Sequence, residues 1–584
     1  MLKRDKIASA MGTTSPLLLD AFRAARRTAI EAAIFSLFVN LLMLTGPLYM
    51  LQIYDRVMSS HSYETLFVIT VLVVILFAGM AALDFARGAL LARSAAAFEE
   101  KLKHLTFDLT LDASRVGLNV ADQPLRDLRQ IRQFVASPAL VAVFDAPWAP
   151  IFLGVVFMMH WLLGLVALIG LILLGVLAFI NERMSRHANT SAMSLTSEAD
   201  KHAAASIRNA AAADAMGMRK TLRDRWTKLS DEANNHLLSS TDTIGGLTAA
   251  SKAFRLFLQS AILGTGAFVA IRGEATPGVM IAASIIAGRA LAPIEIVTSQ
   301  WKNFALSTAA FRRLTKFIEH FPVRSERTAL PAPKGVVSVE RIFCQPAGAK
   351  HPILKNINFS LAAGEALGLI GPSAAGKSTL ARAIVGVEPC ASGAVRLDGA
   401  NLSHWDMDAL GKYIGYLPQE VELFAGTAAQ NIARFRDDAK SEEIIAAAEA
   451  AGAHQMILGF PEGYDTDIGE RGARLSAGQR QRLGLARALF GDPVLVVLDE
   501  PNANLDAEGE AALANAMKGA KARGATVIIV AHRPSAIAFV DKLLFLVGGE
   551  VRAFGPRDEV LAQIAPKQAP VLRRVVSDGE AANG

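Results

Sequence analysis

An eight-residue loop near the middle of the chain has the residue types of a phosphate-binding loop. It reads Gly371-Pro372-Ser373-Ala374-Ala375-Gly376-Lys377-Ser378. Backbone N–H groups of such a loop point at phosphate oxygens, and the helix that follows favours negative charge at its N-terminus. Lys377 can reach the β- and γ-phosphates, and Ser378, followed by Thr379, can ligate Mg²⁺. We therefore expect this segment to bind ATP and Mg²⁺.

Two acids follow an apolar run further along the chain, in Leu495-Val496-Val497-Leu498-Asp499-Glu500. Such a run is typical of a parallel strand buried on both faces, and ligands gather at the carboxyl ends of these strands. We expect Asp499 to hold Mg²⁺ through water and Glu500 to polarise the attacking water. The alternative is that the two acids only cap the next helix.

The segments around the loop predict the elements that position it. Residues 366–370 have the pattern of a buried strand, and residues 379–385 that of a helix. Strand-rich sequence begins at Val336, after a Pro- and Gly-containing stretch at 329–335. We predict an α/β phosphate-loop nucleotide-binding domain at 336–563, a linker at 322–335 and a polar tail at 564–584.

The first half of the chain predicts a membrane domain at 29–321, preceded by a cytoplasmic segment at 1–28. The sequence has 584 residues, is 52% hydrophobic, and carries most of its long apolar runs before residue 300. A span needs about 20 apolar residues. Six runs qualify, at Ala29–Gln52, Glu64–Ala86, Ser137–Met159, Trp161–Asn181, Phe254–Arg272 and Gly278–Val297. Pro138, Pro147 and Pro150 predict a kinked third span, and the fourth follows it after a tight turn near His160.

Charge placement predicts the orientation. Lys and Arg are dense before the first span and between spans two and three, whereas the connections after spans one and five carry one Arg each. Positive residues stay cytoplasmic, so both chain ends and the nucleotide-binding domain should lie in the cytoplasm. These loops also explain the net charge of +6 without a nucleic-acid partner, for which no motif is present. The long connections at 87–136 and 182–253 are predicted to be helical.

The ordered motifs of the second half resemble those of ABC exporters. Gln419 in Tyr416-Leu417-Pro418-Gln419 resembles the Q-loop glutamine, which contacts Mg²⁺. The segment Leu475-Ser476-Ala477-Gly478-Gln479 resembles the signature that contacts the γ-phosphate of nucleotide held by a partner. Three further matches are Asn504-Leu505-Asp506 with the D-loop, His532 with the switch histidine at the γ-phosphate, and Thr466 to Gly472 with the X-loop of exporters.

The resemblance implies a six-span helical membrane domain fused to one nucleotide-binding domain. Phosphate loop and signature belong to opposite subunits in this family, so a homodimer with two ATP sites is implied. The catalytic residues would be Glu500, His532, Lys377 and Gln419. Ser378, Gln419 and Asp499 would hold the metal.

The sequence departs from the family pattern at three places. Ala374 and Ala477 stand where glycine is common. We expect Ala374 to cost little if the backbone there is not left-handed, and Ala477 to leave the signature functional. The aromatic residue that stacks on adenine is missing. Gln345 lies near its position, with Phe343 close by.

Three segments of the first half resemble the type I secretion exporters of the alkaline-protease branch. They are Pro47 to Val57, Asp145 to Pro150 and Gly288 to Glu295. Residues 1–28 precede the first span, and we expect no N-terminal peptidase domain. The resemblance implies export of an unfolded protein with an uncleaved C-terminal signal across the inner membrane, with a periplasmic adaptor and an outer-membrane channel. The alternative is an exporter of lipid or small amphiphiles, whereas six spans exclude a soluble nucleic-acid ATPase.

Two charged residues lie within the predicted spans at matching depth. Asp145 in span three and Arg289 in span six are each about 12 Å from the cytoplasmic end. They either pair or line a polar cavity, or Arg289 reaches the interface while Asp145 caps the proline break. The two cysteines, Cys344 and Cys390, are far apart in sequence, and we expect reduced thiols.

Overall fold

A computed structural model describes most of the chain. It covers residues 16–115, 117, 118, 120, 122–321, 330–346, 349, 351–531 and 537–564. The contacts divide the chain into two compact units. The helical unit is Met1–Thr110 with Val120–Val323, and the α/β unit is Leu111–Asn119 with Arg324–Gly584.

The helical unit contains twelve α-helices among its described residues. They are α1 Pro16–Leu42, α2 Thr45–Gln52, α3 Met58–Ser60, α4 Tyr63–Arg115, α5 Gln123–Val135, α6 Pro138–Asp145, α7 Ala149–Met159, α8 Trp161–Arg208, α9 Ala210–Ala215, α10 Arg219–Ile271, α11 Pro277–Ser299 and α12 Trp301–His320. A π-helical turn, Ile53–Val57, joins α2 to α3. The long apolar helices expose large side chains such as Phe67 and Leu72, because their solvent is lipid.

Six segments of the described chain are long and apolar enough to cross a membrane, which confirms the predicted number. They are Arg26–Ser60, Tyr63–Arg115, Pro138–Met159, Trp161–Ile180, Gly245–Ile271 and Pro277–Ile296.

The third span is kinked, as the prolines predict. Pro138 is in the first turn of α6, where its missing N–H costs nothing. A short 3₁₀ turn, Ala146–Trp148, then separates α6 from α7. The tight turn at His160 is also present, because this residue is extended between α7 and α8.

The connections between the spans are helical, as predicted, and continue the spans themselves. Helix α4 runs for 53 residues and α8 for 48. At 1.5 Å per residue, α4 is about 80 Å long, far more than the hydrocarbon core of about 30 Å requires. Only its last turn, Leu111–Arg115, belongs to the α/β unit.

The predicted pairing of Asp145 with Arg289 is wrong. Asp145 accepts hydrogen bonds from Arg87 at 2.9 Å and from Asn40 at 2.8 Å, and its side chain makes no helix-cap bond. Arg289 is exposed. Equal depth along two helices does not decide which way their side chains face, and the kink in span three directs Asp145 toward α1 and α4.

The three segments that resemble secretion exporters each use an acid to tie one span to another. Asp55 accepts hydrogen bonds from the Thr276 hydroxyl at 2.6 Å and the Gly278 N–H at 2.9 Å, at the start of α11. Glu295 of α11 pairs with Arg255 of α10. With Asp145, these contacts give the motif acids a packing role within the helical unit.

The α/β unit is built on two sheets. Its strands are β1 Val337–Cys344, β2 Leu354–Leu361, β3 Ala366–Ile370, β4 Ser392–Leu397, β5 Ala400–Asn401, β6 Ile414–Leu417, β7 Leu495–Asp499, β8 Thr526–Val530, β9 Lys542–Val547 and β10 Glu550–Pro556. One sheet is antiparallel with order β2-β1-β4-β5, and the other has order β10-β9-β3-β8-β7-β6. In the second sheet β9, β3, β8, β7 and β6 are parallel. Strands β7 and β8 are buried throughout, as their apolar runs predict.

Eight helices accompany these strands in the described part of the unit. They are α13 Lys377–Ile384, α14 Met407–Leu410, α15 Ala428–Ile432, α16 Ser441–Ala450, α17 His454–Leu458, α18 Ala477–Leu489, α19 Ala507–Ala522 and α20 Arg557–Ile564. They contribute to two apolar cores, one containing α18 and α19 residues and the other containing α13 residues.

The expectation of two separate reduced thiols is wrong. Cys344 and Cys390 form a disulfide. Strands β1 and β4 pair antiparallel with Phe343 opposite Ser392, so residues 46 apart in sequence become neighbours. Sequence separation carried no information about this pairing.

Candidate active site

The phosphate-binding loop connects the central strand β3 to helix α13. Gly371 follows β3 with φ of 152°, and a Cβ there would lie 2.1 Å from the Leu546 carbonyl oxygen. Only glycine therefore fits at the start of the loop. Gly376, at φ of 99°, is the N-cap of α13, so the predicted strand, loop and helix are all present.

Ala374 has a left-handed backbone, with φ of 61°. A Cβ costs about 1 kcal/mol in this region relative to glycine. The condition for a low-cost replacement, a backbone that is not left-handed, is therefore not met. The side chain is exposed, so the cost is backbone strain and not a steric clash with neighbours.

Lys377 is folded over the loop that precedes it. Its ammonium group donates hydrogen bonds to the carbonyls of Gly371 at 3.0 Å and Pro372 at 2.9 Å. The residue is 5% exposed. Burial lowers the pKa of Lys377, while the nearby carboxylates of Glu500 and Asp499 raise it in part. A desolvated, partly paired ammonium is suited to a phosphate oxygen.

Asp499 lies at the carboxyl end of β7, beside the phosphate loop. It is 2% exposed and accepts a hydrogen bond from the Ser378 hydroxyl at 3.1 Å. Burial raises the pKa of Asp499, against the hydrogen bond from Ser378, and the Glu500 carboxylate raises it further. A buried carboxylate beside a hydroxyl offers the hard oxygen donors that Mg²⁺ prefers, and Mg²⁺ keeps waters and phosphates as its other ligands. These residues fit the metal.

Glu500 follows Asp499 with a left-handed backbone, at φ of 50°. Its N–H donates to the Val530 carbonyl at 3.1 Å, which fixes the turn beyond β7 and β8. Non-glycine residues in this region concentrate at functional sites, where the surrounding structure enforces them.

Gln419 is brought to the same edge by the sheet. Strands β6 and β7 are parallel, with Leu417 opposite Leu498. Gln419, two residues beyond β6, is therefore beside the end of β7, and it is exposed. Thr379, unlike Gln419, is buried, with 5% of its surface exposed. Its hydroxyl accepts a hydrogen bond from Arg382 at 3.4 Å.

The signature segment forms the start of α18 with a reciprocal cap. The Ser476 hydroxyl accepts from the Gln479 N–H at 3.2 Å, and the Gln479 side chain accepts from the Ser476 N–H at 2.8 Å. A Cβ added at Gly478 would lie 3.0 Å from the Asn504 carbonyl oxygen, so there is little room for a larger residue there. Ser476 and Ala477 are exposed, so this helix N-terminus is open to a ligand from outside the unit.

Two positions from the sequence analysis remain, the switch histidine and the position of the adenine-stacking residue. His532 lies outside the described residues. Gln345 is exposed, and its amide nitrogen donates to the Ala349 carbonyl at 2.8 Å. Phe343, two residues earlier, is 36% exposed.

Two residues that connect elements around the site were missed from the sequence. Gln481 is 2% exposed and donates to the Pro501 carbonyl at 2.9 Å, which ties α18 to the residue after Glu500. Arg434, two residues beyond α15, donates to the carbonyls of Arg487 at 3.0 Å and Ala488 at 3.1 Å in α18. Gln481 follows the recognised signature closely, whereas no local pattern indicates Arg434. Burial also raises the pKa of Tyr416, in the motif before Gln419, to about 12, with a further contribution from Asp499.

Comparison with known proteins gives two family matches in this chain. Residues 29–288 match the ABC transporter transmembrane region, and residues 354–503 match the ABC transporter family.

Whole-length relatives are also found. The type I secretion system ATP-binding protein PrsD of Rhizobium meliloti (strain 1021) is 44% identical over 567 residues, covering 96% of this chain and 97% of PrsD. The cyclolysin secretion/processing ATP-binding protein CyaB of Bordetella pertussis is 30% identical, covering 91% of this chain and 75% of CyaB. A solved structure of a bacterial Atm1-family ABC exporter with ATP bound has a TM-score of 0.78 at 22% identity, covering 92% of this chain and 96% of that one. This last match shows the same fold.

Proposed function

The chain belongs to the ABC transporters, among the ATP-binding proteins of type I secretion systems, and we propose that it exports an unfolded protein with an uncleaved C-terminal signal. It is a multi-pass membrane ATPase that binds ATP and drives protein export. The observation that carries the ATPase is the convergence of Lys377, Ser378, Asp499 and Glu500 at one sheet edge.

The proposed reaction is in-line attack of water on the γ-phosphate. Lys377 and the loop N–H groups offset the negative charge that develops, and Glu500 orients and polarises the water. Ser378, Asp499 and Gln419 would hold Mg²⁺, which would supply further neutralisation of the phosphate charge. We assign His532 to the γ-phosphate on its sequence position. Residues Gly371 to Ser378 bind the phosphates. Thr379 stabilises the first turn of the helix after the loop, where its hydroxyl accepts a hydrogen bond from Arg382.

We propose a homodimer with two shared ATP sites. The exposed N-terminus of α18, with Ser476, Gly478 and Gln479, would contact the γ-phosphate held by the second copy's loop. Complementation tests the sharing directly. Lys377→Ala inactivates the loop and Ser476→Arg blocks the signature, so each variant alone should show almost no ATPase activity.

A mixed dimer of the two variants retains one intact composite site. Co-expression with two affinity tags should therefore recover about half of the wild-type turnover in the doubly tagged fraction. A doubly tagged dimer as inactive as either variant would contradict sharing. Recovery of no doubly tagged protein would contradict the homodimer.

We place the chain in the bacterial inner membrane with the nucleotide-binding unit in the cytoplasm, acting with a periplasmic adaptor and an outer-membrane channel. The positive cytoplasmic connections and the secretion relatives support this arrangement. The test compares culture-medium proteins with and without the gene, by mass spectrometry. Loss of a protein whose C-terminus is intact in the wild-type medium is expected. Unchanged medium would favour export of lipid or small amphiphiles.

A further inference from the structure

Five polar side chains converge inside the helical unit where the first three spans meet. We call them the Arg87 cluster, and they are Ser36, Asn40, Asp84, Arg87 and Asp145. Ser36 and Asn40 lie one turn apart on α1, Asp84 and Arg87 on α4, and Asp145 at the end of α6. Three elements distant in sequence therefore share one polar site.

Arg87 is the centre of the cluster. One terminal nitrogen, Nη1, donates to the Ser36 hydroxyl at 2.7 Å and to Asp145 at 2.9 Å. The other, Nη2, donates to Asp84 at 2.6 Å. The flat guanidinium fork reaches both neighbouring spans at once, which a lysine ammonium cannot do in the same geometry.

Four of the five side chains are largely buried, which is expensive for the charged ones, while Asp84 is 59% exposed. The Arg87 side chain is 4% exposed and that of Asp145 is 16%, while Ser36 and Asn40 are at 0% and 2%. Arg87 lies about 36 Å along α4 from Tyr63, just beyond the cytoplasmic boundary of a core about 30 Å thick. A charge buried in protein costs several kcal/mol unless it is paired and hydrogen-bonded, and a well-packed apolar side chain would avoid that cost, so stability alone is a weak reason for the ion pair.

The helix that carries Arg87 continues far beyond the span. Helix α4 is unbroken from Tyr63 to Arg115, so about 42 Å of helix follows Arg87. A stiff helix moves as one body, so displacement of its far end is felt at Arg87. The partner of Arg87 is Asp145, located where Pro147 and Pro150 interrupt span three. An interrupted helix is the part of a bundle that bends most readily.

We propose that Arg87 is a positioning residue that couples ATP turnover to export by fixing the kink of span three to α4. The Arg87–Asp145 contact transmits the movement of α4 to α6 and α7, and Asn40 holds the same carboxylate against α1. The inference rests on the proposed function, because it concerns the step that links hydrolysis to the passage of cargo.

The test separates turnover from export. Full-length wild type, Arg87→Gln and Arg87→Lys are each expressed in the deletion strain, and export is read by mass spectrometry of the medium. Purified protein gives the ATPase rate, and immunoblotting gives the abundance in the membrane. We expect export per ATP hydrolysed to fall at least tenfold in Arg87→Gln and by less in Arg87→Lys, while basal ATPase activity stays within twofold.

Two further variants keep the test decisive. Arg93→Gln removes an exposed arginine from the same helix and should leave the ratio unchanged. The double variant Arg87→Gln, Asp145→Asn removes both charges together, so it avoids an unpaired buried charge and should accumulate to wild-type abundance while still failing to export.

Two results would overturn the inference. One is a normal export-to-ATPase ratio in Arg87→Gln or in the double variant. The other is a proportional loss of abundance, ATPase activity and export, which would indicate a structural role only. If wild-type medium matched that of the deletion strain, the proposed function itself would fail, which is a separate outcome from failure confined to the Arg87 variants.

Discussion

Each unit of the molecule buries a carboxylate at the end of an apolar element, and the two acids are satisfied differently. Asp499, at the end of β7, accepts a hydrogen bond from the neutral hydroxyl of Ser378. Asp145, at the end of α6, accepts from the cationic Arg87 and from Asn40. The α/β unit therefore keeps its negative charge available for a ligand, whereas the helical unit neutralises its charge internally.

The difference separates chemistry from positioning. A carboxylate that is to hold Mg²⁺ must have lone pairs to offer, and the cost of burying it is seen in its raised pKa. A carboxylate that fixes the packing of spans must be paired, because lipid offers no water to solvate it. Substitutions that treat both acids alike should therefore have opposite consequences.

The largest expected effect belongs to the α/β unit alone. Glu500→Gln keeps the shape of the side chain and removes its charge, so ATP should bind while hydrolysis slows about 10²–10⁴-fold. Nucleotide binding and phosphate release by the purified protein measure the two steps. Turnover close to that of wild type would contradict the role given to Glu500.

Matched Asp→Asn substitutions compare the two buried acids directly. Asp145→Asn leaves Arg87 with one acidic partner fewer, so the helical unit should lose about 1–3 kcal/mol of stability. Asp499→Asn removes a costly charge, so the ligand-free protein should be as stable as wild type or more stable, with Mg²⁺-dependent ATP binding weakened. Thermal unfolding of both full-length variants in detergent gives the comparison. Equal destabilisation by the two substitutions would contradict the distinction.

The raised pKa of Asp499 predicts that the difference in stability between wild type and Asp499→Asn depends on pH. The folded protein retains this proton at a pH where the unfolded chain has lost it, so the stability that Asp499 contributes is complete below its unfolded pKa. That stability is lost as pH rises through the higher folded pKa. The melting temperature of Asp499→Asn relative to ligand-free wild type should therefore increase from acidic to neutral pH. A constant difference would indicate that Asp499 has an ordinary pKa.

The smallest effect concerns the phosphate loop. Ala374→Gly relieves a left-handed alanine and should stabilise the α/β unit by up to about 1 kcal/mol. Ala375 is buried and is not among the positive-φ residues, so Ala375→Gly should destabilise by about 0.5–1 kcal/mol as the control. Thermal unfolding measures both, and the same sign for the two substitutions would exclude backbone strain at Ala374.

The sequence alone was sufficient for the architecture and for the strand, loop and helix that form the candidate phosphate-binding segment. Six apolar runs predicted six spans, because the thickness of a bilayer imposes a length that no packing detail changes. The loop from Gly371 to Ser378 is contiguous, so its strand and helix were readable around it. The proline kink in span three was predictable for the same reason, since proline acts on its own turn.

Tertiary structure alone decided which distant residues meet. Matching depth made Arg289 one possible partner of Asp145, and the structure pairs Asp145 with Arg87, because the direction a side chain faces depends on how helices pack. Cys344 and Cys390 became neighbours through the pairing of β1 and β4. The left-handed backbone of Ala374 follows from the path of the loop between β3 and α13. Local sequence determines an element and its immediate turn, whereas register, facing and long-range charge pairing are determined only when the elements pack together.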